Sequence, residues 1–259
     1  MGTRTSTAER VSDDVALPQQ ALPRLDVPLR ERLIVALDVP NVIQARNIVA
    51  ALGDTVVFYK LGLQQVFGGG LSVVAELFRL GKKVFLDAKL TDIAATVGNA
   101  TTNIARTGTA FLTVTGDAPI VRAAVEARSR AGARKPLILA VTVLTSLDQK
   151  DIEDMGFAMP LEDLVVHRAL KAKEAGADGV IASGFEAAKL RALLGPYMRI
   201  VTPGIRSADS PKDDQKRVMT PAEAIEAGAD HIVVGRDILR SPAPEAKARA
   251  ILDEIAGAL

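Results

Sequence analysis

Eight short apolar runs, spaced along the chain and separated by longer helix-like stretches, constrain this sequence more than any other feature. They are Leu33–Asp38, Val56–Leu61, Lys83–Lys89, Phe111–Thr115, Leu137–Thr142, Gly179–Ala182, Arg199–Thr202 and His231–Gly235. Each is almost continuously apolar rather than alternating, as strands buried on both faces of a parallel sheet must be. Helical segments are expected between them, at about 41–51, 64–80, 92–107, 118–131, 161–175, 185–194, 220–228 and 243–258. Local signals mark several of their ends. Ala-Gly-Ala-Asp occurs at 175–178 and at 227–230, each time just before a strand, where its Gly suits a left-handed helix C-terminus. Thr220-Pro221-Ala222-Glu223 supplies an N-cap, a proline at the first helical position and a glutamate for a capping box.

Eight β-then-α units in 259 residues fit one α/β domain, a (β/α)8 or TIM barrel. A doubly wound open sheet is the runner-up, but the first strand runs into Leu-Asp-Val-Pro without a glycine-rich dinucleotide turn. Gly68-Gly69-Gly70 does not follow a strand directly and reads as a loop. Residues 1–30 read as an N-terminal extension, rich in Thr, Ser, Arg and Pro and expected to be flexible; residues 31–259 are expected to form the barrel. An oligomer contact or a covering strap is the alternative role for the extension. It has no apolar core of the secretory type, and its acidic residues disfavour a transit peptide.

Composition narrows the chemistry. Lys plus Arg total 32 against 31 for Asp plus Glu, so a general nucleic-acid or membrane-surface binder is not expected. Aromatic residues are 3% and Trp is absent, which removes base-stacking platforms. No apolar run reaches the ~18 residues of a membrane span. There is no cysteine, so disulfides, thiolate metal sites and cysteine nucleophiles are excluded. A reducing cytoplasm is the expected compartment. With only His167 and His231, a histidine-rich metal site is impossible. His231 opens the eighth strand at the stability face and reads as structural; His167 lies in a helix and has no assigned role.

The C-terminal ends of barrel strands carry the chemistry of this fold. There the sequence places Asp38, Lys60, Asp87 and Lys89, with Asp92 just beyond. Asp87 and Lys89 are two apart, so a regular strand points both inward. Ion pairs in a barrel mouth can be purely structural, but burying charge for stability alone is unfavourable, and five charges on three adjacent strand ends favour a functional site. The neighbouring carboxylates favour a protonated Lys89, suited to donating a proton rather than forming a Schiff base. Carboxylates here could instead hold Mg²⁺, although a lysine among them competes for the same charge.

Across the barrel, Thr202-Pro203-Gly204-Ile205-Arg206 and Val234-Gly235-Arg236 follow strands seven and eight, where this fold commonly binds phosphate. Arg206 or Arg236 would add charge-assisted hydrogen bonds. The polar stretch 206–217 reads as a lid or as a passive loop. Thr145 and Ser146 after strand five could read a polar ring or simply cap a helix.

These elements resemble the orotidine 5′-phosphate decarboxylase family. The carriers are Leu-Asp at strand one, Lys60-Leu-Gly, Asp87-x-Lys89-x-x-Asp92-Ile93, Leu144-Thr145-Ser146, Thr202-Pro203-Gly204-Ile205-Arg206, Asp214-Gln215-Lys216-Arg217 and Val234-Gly235-Arg236. The match runs in order from about residue 33 to 257. The Asp-x-Lys-x-x-Asp element is shared with Mg²⁺-dependent phosphosugar decarboxylases and synthases; the others make the resemblance specific.

The resemblance implies cofactor-free, metal-free decarboxylation of orotidine 5′-phosphate to UMP in de novo pyrimidine synthesis. Lys89 would protonate C6, with Asp87 and Lys60 completing a charged network and Asp87 crowding the substrate carboxylate. Asp92 would enter the neighbouring site of a homodimer, with Ile93 and Thr96 beside it at the interface. Asp38 and Lys60 would contact ribose hydroxyls, and Thr145 and Ser146 would lie by the pyrimidine. Gln215 would bridge base and phosphate, while Arg206, Gly235 and Arg236 would serve the phosphate. The chain departs from many relatives at Thr91 and Ala94-Ala95, around the shared Asp92, and at Thr115-Gly116-Asp117-Ala118 after strand four. A non-catalytic phosphate-ligand binder on the same barrel is the third reading.

Overall fold

Every apolar run folds as a strand, and the strands pair in parallel from first to last and back to the first, closing a barrel. The computed structural model describes residues 25–207 and 219–259. In chain order the elements are α1 (Leu29–Arg32), β1 (Leu33–Ala36), α2 (Val42–Leu52), β2 (Phe58–Leu61) and α3 (Leu63–Gln65). A π-helical turn, Val66–Gly70, leads into α4 (Leu71–Arg79), β3 (Lys83–Leu90), α5 (Ala94–Ile104), β4 (Phe111–Thr115) and α6 (Ala118–Arg130). The second half comprises β5 (Leu137–Val141), α7 (Gln149–Asp154), α8 (Leu161–Glu174), β6 (Gly179–Ile181), α9 (Gly184–Leu194) and β7 (Arg199–Thr202). It ends with α10 (Pro221–Glu226), β8 (His231–Val234), α11 (Arg236–Leu239) and α12 (Pro244–Gly257).

The continuous apolar character of the strands has a direct cause: each strand serves two cores. Outward residues such as Val35, Tyr59, Leu86, Leu112, Ile138 and Ile200 pack against the helices. Inward residues such as Ile34, Phe58, Phe85, Phe111, Leu139 and Val201 fill the barrel. Burying one such side chain contributes about 1.5–3 kcal/mol, so both faces must be apolar for the barrel to close around a packed centre.

Local signals set the joints. Both Ala-Gly-Ala-Asp glycines take the left-handed conformation, Gly176 at φ 89° and Gly228 at φ 109°. The aspartates that follow make the same staple twice. Asp178 donates its N–H to Ile138 O and accepts the Ile138 N–H on Oδ2; Asp230 does the same with Ile200. Arg128 pairs with Asp178 and Arg191 with Asp230. At α10, Thr220 and Glu223 form the expected capping box behind Pro221.

Four local features differ from the sequence reading. The glycine triplet is a helical turn rather than a loop. Its Gly69 adopts φ 86°, and an added Cβ at Gly70 would lie 2.6 Å from Gln65 O, which excludes any larger residue. Helix α7 is additional, held by a reciprocal Asp148–Asp151 capping box. Helix α11 directly follows β8. Finally, the boundary drawn at residue 30 falls inside α1, and Val27 before it is buried. This segment closes the N-terminal end of the barrel: Glu31 O accepts from the His231 ring at 2.8 Å and Asp230 O from Arg32 at 3.4 Å.

Candidate active site

At the C-terminal ends of the strands the inward residues change from apolar to charged. Ile34 and Ala36 give way to Asp38, Phe58 to Lys60, and Phe85 to Asp87. A cavity of about 420 Å³ opens there, a volume suited to a small organic ligand. Its walls carry Asp38, Lys60, Asp87 and Lys89 on one side and Arg206, Gly235 and Arg236 on the other, with Thr145 at the rim. Val141, Val143, Leu144, Ile181 and Val233 form an apolar wall between them.

The charges alternate. Lys60 Nζ lies 3.1 Å from Asp38 Oδ1 and 3.3 Å from Asp87 Oδ2, and Lys89 Nζ lies 2.8 Å from Asp87 Oδ1. Side-chain exposure is 11% at Lys60 and 12% at Asp87, but 34% at Lys89 and 48% at Asp38, so the array runs from a buried centre to the rim. Burial opposes ionisation of Asp87. The charges of Lys60 and Lys89, with hydrogen bonds from Lys89 and Thr113, outweigh it and hold the carboxyl below its usual range. The position between the Asp38 and Asp87 carboxylates, where a divalent cation would be bound, is filled by the Lys60 ammonium.

Lys89 reaches Asp87 through an irregular backbone. Strand β3 pairs regularly with β4 at Phe85–Phe111 and Leu86–Leu112, then skips to Leu90–Val114. Within that bulge Lys89 takes φ 45°, the left-handed region that non-glycine residues rarely occupy. The two side chains therefore meet by a bend rather than by the regular two-residue pleat.

Other expected site residues lie elsewhere. Asp92 is exposed, outside this cavity, and its Oδ1 accepts the Ile93 N–H at 2.7 Å. Ile93, 71% exposed, and Thr96, at the start of α5, also lie outside the cavity wall. Of the five charges at these strand ends, four therefore line the cavity within a single chain, and Asp92, just beyond Lys89, points away from it. Ser146 is exposed and does not line the cavity. Gln215, with Asp214, Lys216 and Arg217, falls outside the described residues. Sequence reading missed Asp237, whose Oδ2 accepts from the Ser207 N–H and hydroxyl, both at 2.9 Å, and ties the chain after Arg206 to α11. It also missed Thr113, which bonds both Asp87 and Lys89; its inward register beside Phe111 was the available signal.

Comparison with known proteins agrees with this geometry. The family model described as "Orotidine 5'-phosphate decarboxylase / HUMPS family" matches residues 31–251. The chain is 52% identical to "Orotidine 5'-phosphate decarboxylase" of Afipia carboxidovorans, over 88% of this chain and 95% of that protein. It is 51% identical to the protein of the same name in Rhodopseudomonas palustris strain HaA2, over 88% of this chain and 96% of the other. Among solved structures, orotidine 5′-phosphate decarboxylase from Lactobacillus acidophilus superposes with a TM-score of 0.78 at 36% identity, covering 87% of this chain and 99% of that one. An uncharacterized conserved protein from Geobacillus kaustophilus superposes with a TM-score of 0.76 at 32% identity, covering 86% and 99%. With the barrel, the charged strand ends and these matches in agreement, the chain belongs to the orotidine 5′-phosphate decarboxylase / HUMPS family.

Proposed function

We propose that this protein converts orotidine 5′-phosphate to UMP and CO₂ without a metal or organic cofactor. The observation that carries the reading is the alternating Asp38–Lys60–Asp87–Lys89 array, with Lys60 occupying the space between the carboxylates. The same observation disfavours a Mg²⁺-dependent phosphosugar enzyme, which needs that space for its ion. A non-catalytic binder would have no use for a protonated amine held against a buried carboxylate.

In this reading the phosphate binds at Arg206, Gly235 and Arg236, with Gln215 bridging it to the base from the 206–217 segment. Asp38 and Lys60 hold the ribose hydroxyls. Thr145 and Ser146 contact the pyrimidine, which rests on the apolar wall. The bond from C6 to the carboxylate breaks, CO₂ departs, and the electron pair remains on C6. The Lys89 ammonium, held 2.8 Å from Asp87 Oδ1, stabilises that pair and gives it a proton. The resulting neutral amine is reprotonated from water. Binding at the distant phosphate helps order the site around the reacting carbon.

The reading includes a cytoplasmic homodimer in which Asp92, Ile93 and Thr96 complete the partner's site. It is supported by their position outside the cavity of their own chain and by the exposure of Ile93. Leu63, Phe67 and Leu71, exposed at four-residue spacing, offer further apolar surface. Among the described residues no helix is long and apolar enough to cross a membrane.

The test of the activity is ultraviolet-monitored turnover of orotidine 5′-phosphate with and without EDTA. EDTA-resistant formation of UMP is expected. EDTA-sensitive turnover, or nucleotide binding without turnover, would overturn the reading. For the shared site, mixing Lys89→Ala and Asp92→Ala proteins should restore about a quarter of wild-type activity through hybrid dimers. No recovery despite subunit exchange would contradict it.

A further inference from the structure

The β3 bulge leaves three residues, Asp87, Ala88 and Lys89, opposite Thr113 alone. Such an interruption removes regular ladder partners and strains the chain where Lys89 takes φ 45°. One hydroxyl answers both problems. Thr113 Oγ1 accepts the Lys89 backbone N–H at 2.9 Å and donates to Asp87 Oδ1 at 2.9 Å. The same Asp87 oxygen accepts Lys89 Nζ at 2.8 Å. A closed ring results, running from the Lys89 backbone through Thr113 and the Asp87 carboxylate to the Lys89 ammonium.

Thr113 is fully buried and does not line the cavity, so it can act only through its two partners. Lys60 holds the other carboxylate oxygen, Oδ2, from β2. Both Asp87 oxygens are therefore fixed, and the carboxylate cannot rotate without breaking a contact. Because Thr113 also holds the Lys89 N–H, it couples the backbone turn at Lys89 to the direction of the Asp87 carboxylate.

We infer that Thr113 is a positioning residue for the decarboxylation, its hydroxyl locking the Lys89 turn and the Asp87 rotamer together so that Lys89 Nζ is aimed at the reacting carbon. The inference rests on the functional reading above. A hydroxyl that merely satisfied a buried N–H would affect stability and leave the chemical step alone. A hydroxyl that aims the proton donor must affect kcat, because a small displacement of a preorganised charge is felt most in the transition state.

The variants are Thr113→Val, which keeps the shape and removes both hydrogen bonds, and Thr113→Ser, which keeps them. Thr113→Ala, with room for a water at the Lys89 N–H, is a second probe should the valine protein not fold. Steady-state kinetics with orotidine 5′-phosphate, UMP binding by calorimetry and melting curves are measured on each. The expected result for Thr113→Val is a fall in kcat of about 10²-fold with KM and UMP affinity within about threefold of wild type. Thr113→Ala should lose at least about tenfold in kcat, and Thr113→Ser should recover wild-type kcat within about threefold.

The acid limb of kcat/KM should also move to higher pH in Thr113→Val. Asp87 then loses one hydrogen bond to its charged form while still facing Lys60 from β2, Lys89 on its own strand and, through Lys60, Asp38 beyond β1. A folded Thr113→Val or Thr113→Ala protein with wild-type kcat and an unmoved acid limb would overturn the inference alone. Wild-type protein that does not convert orotidine 5′-phosphate would overturn the functional reading and this inference with it.

Discussion

Lys60 Nζ bridges the carboxylates of Asp38 and Asp87, 3.1 Å from Asp38 Oδ1 and 3.3 Å from Asp87 Oδ2. It compensates two negative charges that would otherwise face each other, Asp87 in the buried centre and Asp38 at the rim, and it leaves Asp87 Oδ1 to serve Lys89. The array is therefore a unit, and removing a member should disturb the others.

Lys60→Met tests this dependence. Asp87 owes its low pKa in part to Lys60, so without that ammonium it should take up a proton at higher pH. The sign follows from the depressed pKa: the ionised carboxylate contributes above its usual range, and the contribution is lost as pH falls through the folded value. In Lys60→Met that loss begins earlier. Activity should fall by about 10²-fold or more at neutral pH, and the acid limb of the pH–rate profile should shift upward. A profile with an unmoved acid limb would show that Lys60 does not control Asp87.

Arg236 tests the opposite end of the cavity. Arg236→Ala should weaken UMP binding by about 10- to 100-fold, the worth of one or two charge-assisted hydrogen bonds. Binding of uridine, which lacks the phosphate, should be unchanged. Calorimetry with both ligands checks this; equal losses for the two would remove Arg236 from the phosphate site.

His231 gives a pH-dependent stability. Its ring lies inside the barrel, with ring centroids 5.0 Å from Phe111 and 6.0 Å from Phe58, and burial pushes its pKa down to about 3. The unfolded chain binds the proton near pH 6.5, which the folded protein refuses, so stability is full above that value and declines as pH falls towards about 3. The slope should approach ~1.4 kcal/mol per pH unit for this one group. In denaturant melts between pH 7 and pH 4, wild type should therefore lose stability relative to His231→Phe as pH falls. Parallel curves would contradict a neutral buried ring.

The two staples behind the barrel differ in depth, and their energies should differ accordingly. The Asp230 side chain is 3% exposed and that of Asp178 23% exposed. Asp230→Ala leaves the Ile200 N–H and part of the Arg191 guanidinium without their carboxylate and should cost about 3–5 kcal/mol. Asp178→Ala should cost clearly less. Chemical denaturation measures both, and a larger loss at Asp178 would refute the ranking.

The barrel was legible because its constraint repeats: strands packed on both faces must be apolar at nearly every position, and eight such runs admit few arrangements. The Ala-Gly-Ala-Asp joints and the Thr220 capping box were legible for a similar reason, since each motif carries its own local geometry. The site was legible as composition rather than as shape. Asp38, Lys60, Asp87 and Lys89 do converge, yet regular alternation gave no hint of the bulge, the φ of 45° at Lys89 or the part played by Thr113. A bulge is set by contacts with the neighbouring strand, which a strand's own sequence does not display. The spacing of Asp92 from Lys89 says nothing about the turn between them, and only the resemblance put it outside the pocket of its own chain. Thr113 resembled ordinary strand filling inside Phe-Leu-Thr-Val-Thr, and only its register opposite Asp87 gives it a role.

The most direct test of the central claim is Lys89→Ala, read by turnover and by UMP binding on the same preparation. The account expects a folded protein that binds UMP within about tenfold of wild type while turnover falls by at least about 10³-fold, the scale of a lost acid combined with a lost electrostatic stabiliser. A folded Lys89→Ala protein that converts orotidine 5′-phosphate at the wild-type rate would contradict the assignment of Lys89 as proton donor, and with it the mechanism built on the Asp87–Lys89 pair.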